Sequence, residues 1–127
     1  MAIIRLMEES QAQGKVKEIF DQIKETLGIS FVPQLFRALG YQPDQLDAVW
    51  TQVKGLFGSG ALDVKTKVLA ALGVAAAQRC PYFINIHGAA LKRLGVTDEE
   101  IAELLEVAGL STALNTLVTG LGLEPEL

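Results

Sequence analysis

Cys80 and His87 are the residues of this chain best suited to chemistry, and each is the only member of its kind. A cysteine thiolate is a nucleophile, and an imidazole exchanges protons near neutral pH, so the pair offers thiol redox or acid–base chemistry. The two residues lie seven positions apart. On a helix that spacing is nearly two turns, or about 10 Å of rise, so they share a face but their side chains are not expected to touch.

The neighbours of Cys80 favour a reactive thiol. Pro81 cannot continue a helix interior but suits the first position of a new helix, which places Cys80 at a helix start. Unpaired amides and the positive end of the helix dipole favour a thiolate there, and Arg79 adds positive charge. The competing interpretation is that Cys80 is a small buried hydrophobe and His87 a structural histidine. Both interpretations stay open at this point.

Other kinds of site find little support in the sequence. A metal site needs about three or four ligands in coherent spacing, and one cysteine with one histidine does not supply them. The glycine-containing run 55–60 lacks a following Lys-Ser/Thr and a preceding strand, which argues against a phosphate-binding loop. The serines stand at predicted helix boundaries, where a capping role explains them, so no serine nucleophile is predicted. The sequence therefore predicts neither a metal nor a cofactor.

Composition limits the partners of the protein. The formal net charge is -4 and the basic residues are scattered, so we expect no binding to nucleic acid. Half of the 127 residues are hydrophobic and the mean hydropathy is +0.30, which is apolar for a short soluble chain. Part of this excess is expected at contacts between copies in a homo-oligomer. No uncharged run approaches the roughly 20 apolar residues of a membrane span, so no membrane partner is predicted.

The start of the chain and its cysteine content indicate where it works. The first ten residues lack the basic start and apolar stretch of a secretory signal. A single cysteine excludes an intrachain disulfide and fits a reducing compartment. We therefore predict a cytoplasmic protein.

Apolar residues spaced by three and four predict a chain made of helices. The predicted helices cover 14–27, 33–39, 43 to the glycine-containing run, 64 to about 78, 81 to about 94, about 98–108 and 111–120. No segment alternates apolar and polar residues as a strand does, and all connections are short. We predict an all-α fold, in which a single domain, 1–127, forms a compact bundle of about seven helices without a sheet.

Two of these helices carry specific predictions. The helix 64–78 begins at the cap residue Asp63 and is apolar almost all round in its later part, which favours burial at the centre of the bundle. Thr97 and Glu100 form a capping box at the start of a further helix. That helix is predicted to bury its apolar residues, which are Ile101, Leu104, Leu105 and Ala108. Gly109 is predicted to separate it from the last helix.

Three segments of the second half of the chain carry a family resemblance. They are Leu62–Lys67, Cys80–Phe83 with His87, and Leu94–Ile101 with Asn115. In this order and spacing they resemble the core of the alkylhydroperoxidase-D-like and carboxymuconolactone decarboxylase family, over Leu62 to about Gly122. The segment Phe31–Leu39 is similar to the leading region of longer members and of the related helical dehalogenases. The resemblance implies an all-helical and typically oligomeric protein.

The resemblance also implies roles for individual residues. Peroxidase members of the family carry Cys-x-x-Cys-x-x-x-His, in which the second cysteine attacks the peroxide and the first resolves the sulfenic acid. Cys80 matches the first cysteine and His87 matches the histidine. Phe83 stands where the second cysteine belongs, and Val68 stands where a glutamate of the proton relay is usual. Because a dithiol cycle needs two sulfurs, this chain cannot run that cycle alone.

Three functions follow as hypotheses, with Cys80 and His87 as the candidate catalytic residues. The first is a peroxidase-like oxidoreductase in which Cys80 reacts with a small-molecule substrate and is reset by an external thiol reductant or by a second subunit. The second is a non-catalytic oligomeric helical module or small-ligand binder, in which Phe83 and Val68 have turned the site into packing. The third is a cofactor-free lyase or decarboxylase that uses His87 as acid or base.

Overall fold

The computed structural model describes residues 1–127. It contains one 3-10 turn and six α-helices, and no strand. The turn is Glu9–Gln11, and the helices are α1 (Gly14–Leu27), α2 (Gln34–Leu39), α3 (Pro43–Leu56), α4 (Val64–Ala77), α5 (Pro81–Arg93) and α6 (Asp98–Leu121). The predicted all-α fold is confirmed, and the count of about seven helices is reached when the 3-10 turn is included.

The chain divides into two compact units, Met1–Gly58 and Ser59–Leu127. The first unit contains α1 to α3, and the second contains α4 to α6. That the whole chain unfolds as one domain stays a prediction.

The first unit is built around apolar side chains of α1, α2 and α3. Its buried residues are Ala12, Val16, Ile19, Phe20, Ile23, Val32, Phe36, Leu46 and Trp50. The rings of Phe36 and Trp50 meet edge to face with centroids 5.7 Å apart, an arrangement that aromatic pairs favour. Trp50 Nε1 donates a hydrogen bond to Gln22 Oε1 at 3.3 Å, so the polar end of this buried side chain has a partner.

Local sequence accounts for the ends of α1 and α2. Gly28 has φ +66°, the left-handed conformation that glycine adopts without a steric cost, and its N–H bonds back to the last turn of α1. The predicted end of α1 is therefore confirmed. Pro33 is the N-cap of α2 and not its first helical residue, which moves the predicted start by one position.

The second unit is organised by α4, which packs against both α5 and α6. Its buried residues are Val68, Leu72 and Ala75 of α4 together with Leu91 and Val96. Asp63 caps α4 as predicted, because its carboxylate accepts a hydrogen bond from the Thr66 N–H at 2.7 Å. Central burial of α4 is only partly confirmed, since Val74 is 57% exposed. Two neighbouring helices cover one side of α4 and leave the other open.

The predicted break at Gly109 is wrong, because α6 is one helix of 24 residues. One glycine in a helix interior costs only about 1 kcal/mol, and the flanking leucines and alanines are good helix formers. The Thr112 hydroxyl donates to the Ala108 carbonyl at 2.8 Å, and the Thr116 hydroxyl donates to the Thr112 carbonyl at 3.0 Å. These polar groups are therefore satisfied within the helix.

The predicted burial on α6 is also wrong in part. Ile101, Leu104 and Ala108 are only half-buried, and Leu105 is 37% exposed. The reason is that α6 meets α4 along one face of its first half. Gly73 lies under this contact, since a Cβ built there would be 3.9 Å from Leu104 Cδ1.

The capping box at the start of α6 is half formed. The Thr97 hydroxyl accepts a hydrogen bond from the Glu100 N–H at 3.1 Å, as predicted. The Glu100 carboxylate instead lies 3.6 Å from Lys65 Nζ, which ties the start of α6 to α4. An exposed pair of this kind adds little stability.

By length and composition alone, α6 is a helix that could cross a membrane, and none of its most apolar stretch is buried. The sequence expectation that no segment comes near this length overlooked α6. Its serine, threonine and asparagine residues interrupt the apolar run, but they carry no charge.

Candidate functional site

Cys80 lies at the junction between α4 and α5. Its N–H donates to the Ala75 carbonyl at 2.9 Å, which closes the end of α4, and its own carbonyl accepts from the Ile84 N–H at 3.0 Å, which opens α5. The residue is the N-cap of α5, and Pro81 is the first helical residue, as predicted. The backbone that carries the sulfur is thus fixed by both helices.

Arg79 holds an unusual conformation just before Cys80. It is the one non-glycine residue with positive φ, at +56°. Its N–H bonds to the Ala76 carbonyl at 3.1 Å, and with the bond from Cys80 this forms a Schellman motif at the end of α4. Glycine usually occupies this position, so an arginine there stores backbone strain beside the candidate nucleophile. The sequence signal was a helix end at Gln78 without a following glycine.

Cys80 is a free cysteine of intermediate burial. It is therefore neither fully enclosed in apolar packing nor fully open to solvent. At the start of α5, helix amides point toward the N-terminal end, and the positive end of the dipole lies beside the residue. The Cys80 side chain itself makes no capping hydrogen bond to the first turn of α5.

Phe83 and His87 form a stacked pair on α5. Their ring centroids are 5.2 Å apart and their planes differ by 19°. Tyr82 meets Phe83 edge to face, with centroids 5.1 Å apart. The ring that occupies the position of a second cysteine therefore covers one face of the imidazole.

Burial lowers the pKa of His87 from its ordinary value of 6.5. The cause is the loss of water around the imidazole, which disfavours its charged form. His87 is therefore neutral at neutral pH. A neutral imidazole can accept a proton, which is the form that a general base requires.

The other residues of these helices that bear on the site divide between packing and surface. Val68 is only 6% exposed and belongs to the core of the second unit. Tyr82 is half-buried, as a packing residue would be, and Asn85 and Asn115 are exposed. No group of three or more histidine, cysteine, aspartate or glutamate side chains is placed to hold a metal ion. Cys80 and His87 stay the candidate catalytic residues.

Comparison with a protein-family model places this arrangement in a known family. The carboxymuconolactone decarboxylase family model matches residues 43–122, which is more than half of the chain. A crystal structure of the alkylhydroperoxidase AhpD core from Rhodospirillum rubrum matches 99% of this chain and 95% of its own, with a TM-score of 0.92 and 36% identity. Since this match covers 99% of the chain, α6 belongs to the fold that the two proteins share.

Two curated relatives match over parts of their length. "Uncharacterized protein 4 in cox locus" of Paracoccus denitrificans is 42% identical over 62 residues, which cover 49% of this chain and 56% of that protein. The (R)-2-haloacid dehalogenase of Pseudomonas putida is 24% identical over 110 residues, which cover 83% of this chain and 35% of that protein. The matched part of this chain thus spans about half of the first relative and about a third of the second.

The fold, the helix-start cysteine with its histidine two turns later, and the family match agree with one another. The resemblance read from the sequence is thereby confirmed. The chain belongs to the carboxymuconolactone decarboxylase family and has the fold of the alkylhydroperoxidase AhpD core.

Proposed function

We propose that this protein is a single-cysteine thiol peroxidase, in which Cys80 reduces a small hydroperoxide and an external thiol restores it. The observation that carries the proposal is the position of Cys80, a partly accessible cysteine held by its backbone at the N-terminus of α5. Family membership and the similarity to the AhpD core support it. An external thiol as reductant agrees with the predicted cytoplasmic location.

The reaction begins with the thiolate of Cys80. Its sulfur attacks one peroxide oxygen, the O–O bond breaks, and the departing oxygen leaves as an alcohol after it takes up a proton. The sulfur is oxidised to a sulfenic acid, and the peroxide is reduced. One external thiol then displaces water and forms a mixed disulfide, and a second thiol releases the Cys80 thiolate with a small-molecule disulfide as product.

His87 is the proton-transfer group of this proposal. Helix geometry places it about 10 Å along α5 from Cys80, so a proton would pass between them along a chain that includes the bound peroxide and water. Burial lowers its pKa, which favours the neutral imidazole, the form that a general base starts from. Phe83 lies between the two residues in sequence and shields one face of the imidazole.

The direct test is peroxide consumption with a monothiol such as glutathione as reductant. We expect turnover by the native protein, none with Cys80→Ser, and slower turnover with His87→Gln. Asn85→Ala is the matched control, because Asn85 is exposed on the same helix. Equal activity of the native protein and Cys80→Ser would rule out the proposal.

A second test rebuilds the dithiol. Phe83→Cys places a thiol one helical turn before His87 and three residues after Cys80, within disulfide reach. We expect this variant to form an intrachain disulfide under peroxide and to use dithiol reductants that the native protein uses poorly. Phe83→Leu is the control that removes the ring without adding sulfur. A Phe83→Cys protein that still behaves like the native one would contradict the site geometry proposed here.

The non-catalytic alternative is favoured by one observation. Val68 is buried and Phe83 stacks on His87, so two positions of the family's site are filled by packing side chains. A module of this kind would lose stability, and not activity, when Phe83 is changed to alanine. An unfolding curve and a peroxidase assay on the same Phe83→Ala sample separate the two proposals.

A further inference from the structure

Phe83 and His87 lie about one turn apart on α5, and their rings are stacked. The ring centroids are 5.2 Å apart and the ring planes differ by 19°. Side chains four residues apart are neighbours on a helix surface, so the helix itself brings the two rings together. A stacked ring covers the face of an imidazole, whereas the two nitrogens exchange protons at its edge, in the ring plane. Phe83 can therefore restrain His87 without blocking proton transfer.

Tyr82 in turn contacts the ring of Phe83. The two rings meet edge to face, with centroids 5.1 Å apart and planes at 84° to each other. Stacked and edge-to-face contacts are both arrangements that aromatic pairs favour. The side chains of Tyr82, Phe83 and His87 are all half-buried. The orientation of the Phe83 ring is therefore restrained by contacts with two neighbouring rings.

The imidazole of His87 needs a restraint of this kind if it is to act as a base. Rotation about the bond between Cβ and the ring has broad minima, so packing decides which way the nitrogens point. A general base works only when its nitrogen lies within reach of the proton, and a displacement of about 1 Å can lower a rate about 100-fold. The orientation of the imidazole therefore decides whether it can take part in the reaction.

A carboxylate is the usual group that orients a histidine base. The helices α4 and α5 contain neither aspartate nor glutamate, so they supply no such partner. The pKa of His87 is lowered by burial, and no charged group contributes to this shift. The stacked ring of Phe83 is a contact that α5 itself supplies to both the position and the burial of the imidazole.

We propose that Phe83 is a positioning residue, which holds the imidazole of His87 in the orientation that proton transfer from Cys80 requires. This inference rests on the proposed peroxidase function, in which His87 is the proton-transfer group. The Phe83 side chain has no group that exchanges a proton or attacks a peroxide. Its effect on the reaction therefore passes through His87.

A double-mutant comparison tests this route. Peroxide turnover with glutathione is measured for Phe83→Leu, which removes the ring, and for Phe83→Tyr, which keeps it. We expect Phe83→Leu to lower kcat/KM about 10-fold, as part of the ~10²–10⁴-fold contribution of a general base is lost, and Phe83→Tyr to stay close to the native value. In the background of His87→Gln we expect Phe83→Leu to have no further effect, because no imidazole is left to position.

Nuclear magnetic resonance of the sole histidine gives a readout that a merely structural role would not move. The ring current of Phe83 shifts the Cε1–H and Cδ2–H signals of His87, and Phe83→Leu should move both toward the values of an exposed histidine. The midpoint of their pH titration should rise toward 6.5, because loss of the ring admits water to the imidazole.

Ile86→Ala is the matched control. It removes a half-buried apolar side chain of the same helix, which lies about 100° around the helix axis from His87. We expect the His87 signals and the turnover of this variant to stay close to those of the native protein. If Phe83→Leu loses its helical circular dichroism, Phe83→Met takes its place, because a flexible methionine fills irregular gaps.

The outcomes separate this inference from the proposed function. Equal turnover by Phe83→Leu and Phe83→Tyr would overturn the role of Phe83 and leave a Cys80-dependent peroxidase in place. The same would follow if Phe83→Leu lowered turnover equally in the native and the His87→Gln backgrounds, or if the native His87 signals lay at the values of an exposed histidine. A native protein without turnover, or turnover that persists in Cys80→Ser, would overturn the proposed function and this inference with it.

Discussion

The two units of the chain differ in how well they enclose their own apolar side chains. Nine of the fourteen buried hydrophobic residues lie in the first unit, and they include Phe20, Phe36 and Trp50. The second unit buries five, none of them aromatic, and leaves most residues of the long helix α6 exposed. Cys80 and His87 both belong to this second unit. The unit with the larger core thus lacks the two candidate catalytic residues, and the unit that carries them leaves more of its apolar surface exposed.

The largest effect is expected in the core of the first unit. Trp50→Ala removes a side chain that is only 1% exposed and should lower the free energy of unfolding by about 3–5 kcal/mol. Urea denaturation followed by circular dichroism measures this change. Gln52→Ala, at an exposed position of the same helix, should stay within about 0.5 kcal/mol of the native protein. A loss at Trp50 of less than 1 kcal/mol would contradict the description of this core.

The corresponding change in the second unit is Leu72→Ala. Leu72 is 1% exposed on α4, and its truncation should cost about 2–5 kcal/mol. If the chain is one domain, this variant and Trp50→Ala shift the same single transition. Val74→Ala is the control on α4, because Val74 is exposed in the chain. An equally large loss at Val74 would mean that a second copy covers this side of α4 in solution.

A smaller change in the free energy of unfolding is expected for a substitution at Arg79. A non-glycine residue in the left-handed region costs about 1–2 kcal/mol, and the extra freedom of glycine in the unfolded chain offsets about 0.5–1 kcal/mol of this. Arg79→Gly should therefore stabilise the protein by about 0.5–1 kcal/mol. Gln78→Gly, one residue earlier at φ -86°, has no such strain to release and should be destabilising. Destabilisation by Arg79→Gly would show that the arginine side chain does more than occupy the turn.

The smallest effect is a pH dependence of stability just below neutral pH, which comes from the sole histidine, in the second unit. His87 is the sole histidine, and burial lowers its pKa below 6.5 in the folded state. Below pH 6.5 the unfolded chain then binds more protons than the folded chain, so stability falls as the pH drops through this range. Above pH 6.5 the effect is absent. The native protein should lose stability as the pH falls from 6.5 to the folded pKa of His87, and His87→Gln should lose less.

Features fixed by neighbouring residues in the sequence could be predicted. The end of α1 at Gly28, the Asp63 cap of α4 and the Thr97 hydroxyl cap of α6 all follow from side chains within four residues of the cap. The Phe83–His87 contact is of the same kind, since residues four apart on a helix are neighbours. Position along the helix is visible in the sequence, but the stacked orientation of the two rings is not.

Two kinds of feature could not be predicted in the same way. One depends on helix propensities added over a whole segment, and the other depends on contacts with residues distant in the sequence. A glycine at position 109 signals a break, but the helix propensities of a whole segment outweigh it. The apolar pattern of α4 predicts burial without stating how many helices are present to cover it. For the same reason, the exposed apolar face of α6 is recognised only when the burial of each residue in the structure is known. At the site, the types of Cys80 and His87 were readable, whereas the strained turn at Arg79 left only an indirect signal, a helix end without a following glycine.

Trapping of the sulfenic acid on Cys80 tests the proposed chemistry most directly. The protein is mixed with one equivalent of hydrogen peroxide in the presence of dimedone, and the adduct on Cys80 is followed by mass spectrometry, folded and in urea. If the start of α5 activates the sulfur, the folded chain forms the adduct faster than the unfolded chain. His87→Gln should then reduce this difference in rate between the folded and the unfolded protein. An adduct that forms no faster in the folded protein would contradict a peroxidase built on this cysteine.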